Sequence, residues 1–218
     1  MTMIRVSAFR WVPPFAQGLV RDLRVRWALE EAGVAYEPRL IGPEDQKSES
    51  YRGLQPFGQV PAYEEDGLVL FESGAIVLHV AERSEALMPS DLRARARTKT
   101  WMFAALNTIE PQIQKLAEID LFNADQEWAK LRRPAVVDAV KARLTDLSRW
   151  LDGRSYLEER FTAADLLMTT VLRILRHTAL VAEMPALEAY RLRCEARPAF
   201  QKAIADQMAP FAENAPPA

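Results

Sequence analysis

The residue pattern changes character at one place in the chain, between Leu87 and Pro89. Before this place, segments typical of strands and of amphipathic helices follow one another in the order β-α-β-β-α. After it, every periodic segment is helical, and no further strand pattern or hairpin turn occurs. The sequence therefore predicts an α/β domain over residues 1–84, an all-helical domain over residues 90–213 and a short tail over residues 214–218.

The first domain is predicted to contain four strands. They are residues 4–9, 35–40, 60–63 and 68–71. Between the first two strands, a helix is expected to begin at Gly18 and end at Gly33, which makes those strands a parallel pair. The pair Asp66-Gly67 separates the last two strands and is a strong hairpin signal. A second helix follows Phe71, and residues 42–58 are predicted to form an irregular loop. In the second domain, helices are predicted over residues 91–120, 125–151, 163–176 and 186–207.

Composition and charge exclude several classes of protein. The 28 Lys and Arg residues face 30 Asp and Glu residues, so the net charge of −2 gives no general attraction to nucleic acid. No apolar run approaches the roughly 20 residues that span a bilayer. The N-terminal segment lacks a signal-peptide pattern, and the single cysteine, Cys194, cannot form an internal disulfide. We therefore expect a cytoplasmic protein without a nucleic-acid or membrane partner.

A first candidate binding segment is Gly58-Gln59-Val60-Pro61. Proline has no N–H group, so Pro61 suits an edge position at the start of a strand. A cis bond before Pro61 would turn the amide and the carbonyl of Val60 outward, where an extended peptide can pair with them by strand addition. The alternative is an ordinary trans proline on an edge strand.

A second candidate segment, Glu72-Ser73, lies where the fourth strand gives way to a helix. The first amides of a helix have no internal partners and carry partial positive charge, so they favour a carboxylate. Ser73 can donate its hydroxyl to that carboxylate while Glu72 pairs with an ammonium group, and together they recognise an α-amino acid head group. The alternative is that Ser73 only caps the helix.

Three stretches of this chain resemble the glutathione S-transferase superfamily, most closely its plant phi and bacterial branches. They are QPFGQVPAYEEDGLVLFESGAIVLHVAER, RVRWALEEAGVAYE and GRSYLEERFTAADLLM. The resemblance therefore extends over nearly the whole chain. It implies a thioredoxin-like domain followed by an all-helical domain, a glutathione-dependent transferase and a homodimer.

The resemblance also implies how glutathione is held. Val60 would pair with the cysteinyl backbone, with Pro61 in the cis form, and Gln59 would contact the tripeptide backbone. Glu72 and Ser73 would hold the γ-glutamyl end. Lys47 would reach the glycine carboxylate, although an exposed loop lysine explains this position equally well.

The chain lacks the residue that activates the thiol in members of this family, which is a Tyr, Ser or Cys near the first helix. None of the three types occurs over residues 10–20. A free thiol has a pKa near 8.5 and is only a few per cent thiolate at pH 7, so some stabilising group is needed. The remaining candidates are Gln17, the backbone amide of Leu19 and Arg10. Ser7 is the nearest hydroxyl, but it lies within a strand and is interpreted as structural.

An apolar electrophile is the expected second substrate. Trp11 and Phe15 either wall its pocket or pack their loop, and Trp101, Met102 and Asn107 are assigned to the pocket by analogy. A second reading of the chain is a glutathione-binding module without catalytic activity on the same fold. His79 and His177 have no partners at metal-ligand spacing, so no metal is expected.

One further motif is interpreted as purely structural. Thr162 and Asp165 have the spacing of a capping box, and Phe161 and Leu166 are placed to form a hydrophobic staple. This pattern predicts the start of a helix in the second domain and no contact with ligand.

Overall fold

The computed structural model describes residues 3–216, and in them the predicted order of the first 83 residues is observed. The first elements form the order β-α-β, continue through two short helices, and end in a hairpin and a helix. They are β1 (Ile4–Phe9), α1 (Asp22–Ala32), β2 (Tyr36–Ile41), α2 (Pro43–Lys47), α3 (Glu49–Arg52), β3 (Ala62–Glu65), β4 (Leu68–Phe71) and α4 (Ser73–Ala81).

The four strands form one mixed sheet in the order β2-β1-β3-β4. Strand β1 runs parallel to β2 in a register that pairs Ile4 with Tyr36, and it runs antiparallel to β3. The β3-β4 hairpin turns at Asp66 and Gly67, both with positive φ, as the Asp-Gly pair predicts. Because the sheet places β1 next to β3, the end of the first strand lies near the segment that leads into β3.

The remaining elements are helical, as predicted. They are α5 (Leu92–Phe103), α6 (Glu110–Ala117), α7 (Glu127–Leu151), α8 (Ala163–Leu172), α9 (Pro185–Glu195) and α10 (Pro198–Glu213). Two π-helical segments, Ala104–Ile109 and Glu118–Phe122, follow α5 and α6, so the helix predicted over residues 91–120 is not one regular helix. No helix within residues 3–216 combines the length and apolar character needed to cross a bilayer.

Two predictions for the first domain are wrong. Helix α1 begins at Asp22, because Gly18 has a φ of 75° that no right-handed helix accepts. Residues 42–58 contain α2 and α3 instead of only irregular loop. Pro43 occupies the first turn of α2, where proline is favourable. Ser48 caps α3, because its hydroxyl oxygen accepts a hydrogen bond from the amide of Tyr51.

The chain divides into two compact units, and this division differs from the predicted one at the C-terminal end. The first unit contains the residues up to Met88 together with those from Arg197 onward, and the second contains Pro89–Ala196. Helix α10 therefore belongs to the first unit, where Phe200 meets Trp27 edge to face with ring centroids 4.8 Å apart.

Polar contacts also tie α10 to α1. Arg197 donates two hydrogen bonds, of 2.6 and 2.7 Å, to the carboxylate of Glu31. The Gln207 amide donates to the buried carboxylate of Asp22 at 2.6 Å. These contacts explain why a helix that lies beyond the second unit in sequence completes the core of the first.

In the second unit, α8 is the central helix, since all ten of its residues are buried. The predicted capping box is confirmed at its start. The Thr162 hydroxyl accepts a hydrogen bond from the amide of Ala164, and Asp165 accepts one from the amide of Thr162 at 2.9 Å. Burial raises the pKa of Asp165 to about 6, although four hydrogen-bond donors oppose this effect.

Candidate functional site

The peptide bond between Val60 and Pro61 is cis, as expected for the segment that precedes β3. Val60 is buried in a small apolar cluster with Ile41 and Tyr51, and Phe9 packs against this cluster. Within residues 3–216, neither the amide nor the carbonyl of Val60 takes part in a hydrogen bond. An unpaired amide and carbonyl on one residue are the groups that an extended peptide needs for strand addition.

Two buried hydroxyl groups hold the backbone on either side of Val60. The hydroxyl of Tyr51 donates to the carbonyl oxygen of Gln59 at 2.6 Å. The hydroxyl oxygen of Ser7 accepts from the amide of Ala62 at 2.6 Å and lies 2.8 Å from the Tyr51 oxygen. Burial raises the pKa of Tyr51 above its ordinary value, so its hydroxyl keeps the proton that it donates. Ser7 is thus structural, in agreement with its interpretation from sequence.

The buried side chain of Gln55 holds the other end of the same loop. Its carbonyl oxygen accepts hydrogen bonds from the amides of Phe57, at 2.7 Å, and Gln59, at 3.1 Å. The backbone of Gln59 is therefore fixed at both its amide and its carbonyl. Its side chain is exposed and makes no hydrogen bond within the described part of the chain, so it remains available to a ligand.

Ser73 is the first residue of α4, and Glu72 occupies the capping position before it. The interpretation of Ser73 as a mere cap is therefore wrong. Its buried hydroxyl accepts a hydrogen bond from the guanidinium of Arg24 at 3.3 Å, which leaves the serine hydrogen for another acceptor. The first amide of α4 bonded to the preceding turn is that of Ile76, so the amides before it are open to an anion.

Glu72 has a backbone φ of 69°, which is unusual for any residue other than glycine. Its side chain is exposed, does not cap α4, and forms no ion pair within residues 3–216. A carboxylate held beside a helix N-terminus and without a protein cation suits the ammonium group of an α-amino acid. A role of Glu72 and Ser73 in binding such a head group stays a prediction.

Lys47 is the last residue of α2, and its side chain is 73% exposed. Its ammonium nitrogen lies 3.9 Å from a carboxylate oxygen of Glu44, which is itself almost fully exposed. Such a loose surface pair contributes little free energy, so the lysine is able to exchange this partner for a ligand carboxylate. A role for Lys47 stays a prediction.

Two of the three candidates for thiol activation are already engaged in the loop after β1. The side-chain amide of Gln17 donates to the carbonyl of Val12 at 3.1 Å. The backbone amide of Leu19 donates to the carbonyl of Ala16 at 3.0 Å. The expectation that the Leu19 amide is an open donor at the start of the helix is therefore wrong, because this residue lies in a turn before α1.

Arg10, the third candidate, has a side chain that is 50% exposed and lies 3.9 Å from the carboxylate of Asp45. Together with Trp11 it lines a pocket of about 360 Å³ at the carboxyl ends of β1 and β2. The other lining residues are Phe9, Val12, Ile41, Gly42, Pro43, Asn214 and Ala215. Because Phe9 and Ile41 also contact the cluster around Val60, the pocket and the peptide edge share a wall.

The structure assigns the other predicted pocket residues to different surroundings. Phe15 is 41% exposed in the loop before α1. In the second unit, Trp101 packs against Trp150 with ring centroids 5.1 Å apart, Met102 is buried, and Asn107 is exposed on a π-helical turn. Met102 is thus part of a packed core.

Comparison with known proteins identifies the family. The model of the glutathione S-transferase N-terminal domain matches residues 17–82, which include the Val60 edge and the start of α4. A glutathione S-transferase of Hyoscyamus muticus is 33% identical over 203 residues, which cover 84% of this chain and 92% of that protein. The chain belongs to the glutathione S-transferase family. Glutathione S-transferase 4 of Zea mays is 30% identical and aligns over 97% of this chain and 96% of its own length.

Solved structures of glutathione transferases share the fold. The enzyme from Pseudomonas putida, with one glutathione disulfide bound per subunit, superposes with a TM-score of 0.80 at 26% identity, covering 93% of this chain and 90% of its own. A Burkholderia graminis glutathione transferase, with two glutathione molecules bound per subunit, gives the same TM-score and identity and covers 93% and 87%. The first unit is accordingly a thioredoxin-like domain, and an all-helical domain follows it.

Several polar residues around this candidate site are not apparent from the sequence. Arg24 on α1 is buried and donates a hydrogen bond to Ser73, although charged residues are mostly exposed. Tyr51 and Gln55 lie in the segment predicted to be loop. The partners of Gln55 are amides of the same loop, whereas Tyr51 also contacts Ser7, 44 positions away. No local sequence pattern reveals either role.

Proposed function

We propose that this protein is a glutathione transferase that joins the sulfur of glutathione to an apolar electrophile. The observation that carries the proposal is the unpaired backbone of Val60 in the same unit as the open N-terminus of α4 with Glu72 and Ser73. These groups match an extended peptide that begins with a free α-amino acid head, which is the chemistry of the γ-glutamyl tripeptide. Relatives named glutathione S-transferase over most of the chain support the same function.

In the proposed complex, the amide and carbonyl of Val60 pair with the cysteinyl residue of glutathione. Ser73 donates its hydroxyl to the γ-glutamyl carboxylate, which also lies against the amides that open α4. Glu72 pairs with the ammonium group, Gln59 contacts the tripeptide backbone, and Lys47 pairs with the glycine carboxylate.

Arg10 is the proposed source of thiolate stabilisation. The structure engages Gln17 and the Leu19 amide elsewhere, whereas Arg10 has a half-exposed guanidinium with only a distant carboxylate partner. A positive charge near the sulfur favours the ionised form and so lowers the pKa of the thiol. The thiol proton leaves to solvent, and the sulfur lone pair forms a bond to the electrophilic carbon as that carbon's leaving group departs with its bonding pair.

The electrophile is proposed to bind in the pocket that Arg10 and Trp11 line. Its walls are mostly apolar, and a bound apolar compound would meet the sulfur without a loss of translational freedom at the moment of reaction. Phe15, Trp101 and Asn107 remain further candidates for contact with this substrate.

The proposed enzyme is a cytoplasmic homodimer with a role in detoxification. The first unit carries an exposed apolar patch of three residues: Phe57, Val69 and Phe71, of which Val69 and Phe71 lie on one face of β4. The rings of Phe57 and Phe71 meet edge to face at 6.0 Å, which gives the patch a defined shape. A contiguous exposed apolar patch is typical of an interface.

Titration calorimetry with glutathione tests the proposed function. We expect the unaltered protein to bind, and we expect Glu72→Gln to weaken binding by about tenfold or more, because a hydrogen bond to a charged group contributes roughly 1.5–3 kcal/mol. Glu37→Gln, which alters an exposed carboxylate of β2, serves as the matched control and should bind normally. Absence of heat with the unaltered protein at millimolar glutathione would overturn the proposal.

Catalysis is tested separately from binding. Conjugation of a generic aromatic electrophile should depend on glutathione and should fall in Glu72→Gln in parallel with affinity. Normal glutathione binding without any conjugation above the rate in buffer would instead identify the protein as a binding module.

A further inference from the structure

The two hydroxyl groups beneath Val60 are buried, and neither is exposed to a ligand. We propose that Ser7 and Tyr51 are positioning residues for glutathione, which hold the backbone on both sides of Val60 in the conformation that the tripeptide pairs with. This inference rests on the proposed function and adds to it two residues that touch no substrate.

The directions of the hydrogen bonds follow from the available protons. Tyr51 has one hydroxyl hydrogen, and it goes to the carbonyl of Gln59 at 2.6 Å. The hydrogen between the two hydroxyls, 2.8 Å apart, must therefore come from Ser7. The oxygen of Ser7 in turn accepts from the amide of Ala62. A single chain of donors thus runs from Ala62 through Ser7 and Tyr51 to Gln59.

This chain fixes the groups that flank Val60 and leaves those of Val60 unpaired. The Gln59 carbonyl and the Ala62 amide are both drawn toward the buried hydroxyls, so neither competes for the ligand. A backbone edge that is fixed before binding loses less conformational freedom when the peptide docks. The hydroxyl chain should therefore contribute to affinity for glutathione more than to the rate of the chemical step.

The ring of Tyr51 is itself fixed by its surroundings, so its hydroxyl can hold the Gln59 carbonyl in one position. The residue is 1% exposed, it packs in the cluster with Ile41 and Val60, and its amide donates to the hydroxyl oxygen of Ser48. Tyr51→Phe removes one oxygen and keeps this packing. The variant should fold.

Tyr63→Phe, on β3 of the same unit, is a matched control. Tyr63 is also fully buried, and its hydroxyl also donates one hydrogen bond, but to Glu65 at the hairpin rather than to the loop around Val60. Both variants lose the same atom and the hydrogen bond that it donates, and Tyr51→Phe also loses the hydrogen bond that Tyr51 accepts from Ser7. Only the Tyr51 variant releases the Gln59 carbonyl.

We expect Tyr51→Phe to raise the dissociation constant and the KM for glutathione by about five- to tenfold, the size of one or two ordinary hydrogen bonds. The kcat at saturating glutathione and the KM for the electrophile should stay unchanged. Tyr63→Phe should bind glutathione as the unaltered protein does. Normal affinity in Tyr51→Phe, or an equal loss in both variants, would overturn the inference.

Ser7→Ala and the double variant test whether the two hydroxyls act as one unit. If they do, the double variant loses about as much affinity as either single variant, because each removal already breaks the chain. Losses that simply add on the logarithmic scale would show two independent contacts and would contradict the proposed chain.

Amide hydrogen exchange separates a failure of this inference from a failure of the proposed function. In ligand-free protein, Tyr51→Phe should speed exchange over residues 59–62 by at least fivefold, while Tyr63→Phe should not. If the unaltered protein binds no glutathione but this difference is seen, the proposed function fails and the hydroxyl chain still fixes the edge. If exchange over these residues is the same in all three proteins, the chain fixes nothing and the inference is wrong.

Discussion

At the scale of single residues, we propose that a positive charge instead of a hydroxyl donor stabilises the thiolate of glutathione. The segment between β1 and α1 contains no Tyr, Ser or Cys, and its Gln17 amide is bonded to its own loop. Arg10 is the one predicted candidate of the three whose functional group faces the pocket at the end of β1 without a close partner. A full positive charge acts over a longer distance than a hydrogen bond does. Arg10 can therefore stabilise the thiolate without the exact placement that a hydroxyl donor in this irregular loop would need.

Arg10→Gln should therefore raise the pKa of bound glutathione thiol. A rise of about one pKa unit corresponds to about 1.4 kcal/mol of lost thiolate stabilisation. At a pH below the thiol pKa of the unaltered complex, the kcat/KM of Arg10→Gln should be about tenfold lower than that of the unaltered protein. Arg10→Lys keeps the positive charge and should retain most of the unaltered kcat/KM. The ultraviolet absorbance of the thiolate, followed against pH in the complex, measures the shift.

Arg5→Gln is the control for this experiment, since Arg5 is an exposed arginine on the same strand. An equal thiol pKa in Arg10→Gln and in the unaltered protein would remove Arg10 from the mechanism. An equal rise in both variants would point to the general field of the unit instead of to one guanidinium.

The sequence reveals those site residues whose role is local. Val60 and Pro61, and likewise Glu72 and Ser73, are recognisable because a strand start and a helix start are defined by neighbouring residues. Arg24 and Ser73 are 49 positions apart, and Ser7 and Tyr51 are 44 apart. Such pairs exist only after the sheet and helices have packed, so periodicity alone cannot place them.

At the scale of elements, the β3-β4 hairpin is held to α4 by an ionic cluster. The carboxylate of Glu65 accepts hydrogen bonds from Tyr63 at 2.9 Å and from Arg83 at 2.6 Å, and His79 lies 3.4 Å away. Arg83 is the main cause that lowers the pKa of Glu65 below its ordinary value of 4.5. The ion pair between Glu65 and Arg83 thereby connects the hairpin to the end of α4.

Replacement of this carboxylate should give a stability loss that depends on pH. Because the pKa of Glu65 is lowered on folding, its contribution is present above pH 4.5 and is lost as the pH falls through the folded value. Glu65→Gln should be less stable by about 1 kcal/mol or less near pH 5–6, where the carboxylate of Glu65 is ionised and pairs with Arg83. Urea unfolding at several pH values should show this difference disappear well below pH 4.5; a constant difference would contradict the assignment.

The capping box at the start of α8 gives a second prediction about the stability of an element. Thr162→Ala removes the oxygen that caps the helix and should cost about 1 kcal/mol of stability, whereas Thr162→Ser keeps the cap. Glutathione affinity should be unchanged in both variants. Denaturant unfolding measures the loss, and an equal loss in the serine variant would attribute it to the missing methyl group and not to the cap.

Element types were more predictable than element ends. All four strands and the helical character of the second unit follow from local patterns, and β3 begins two residues later than expected, at Ala62. The short helices α2 and α3 were missed because proline and serine are read as loop residues, although both also begin helices. The two π-helical turns contain no glycine or proline, so no helix-breaking residue marks them in the sequence.

At the scale of the whole molecule, the sequence pattern separates the two units but misplaces α10. The change of pattern lies next to the start of the second unit at Pro89, because strand signals stop there. The second boundary, where the chain re-enters the first unit at Arg197, has no comparable sequence signal. One more amphipathic helix has the same pattern whichever unit it packs against. Trp27 and Phe200 lie 173 positions apart in the sequence, and only tertiary packing explains their contact.

The proposed dimer interface can be tested at its most exposed aromatic side chain. Phe57 is 62% exposed and forms the most exposed part of the apolar patch with Phe71. Burial of such a side chain in an interface stabilises association by roughly 1.5–3 kcal/mol. Phe57→Ser should therefore shift the protein from dimer to monomer at micromolar concentration in analytical ultracentrifugation, with the fold retained by circular dichroism.

Leu131→Ser is the matched control, because Leu131 on α7 is even more exposed, at 75%, and lies outside the patch. It should leave the oligomeric state unchanged. If both variants remain dimeric, the patch on the first unit is not the interface. If the unaltered protein sediments as a monomer, the exposed rings serve some other contact, and the proposed glutathione site must then be complete within one chain, as its described residues already allow.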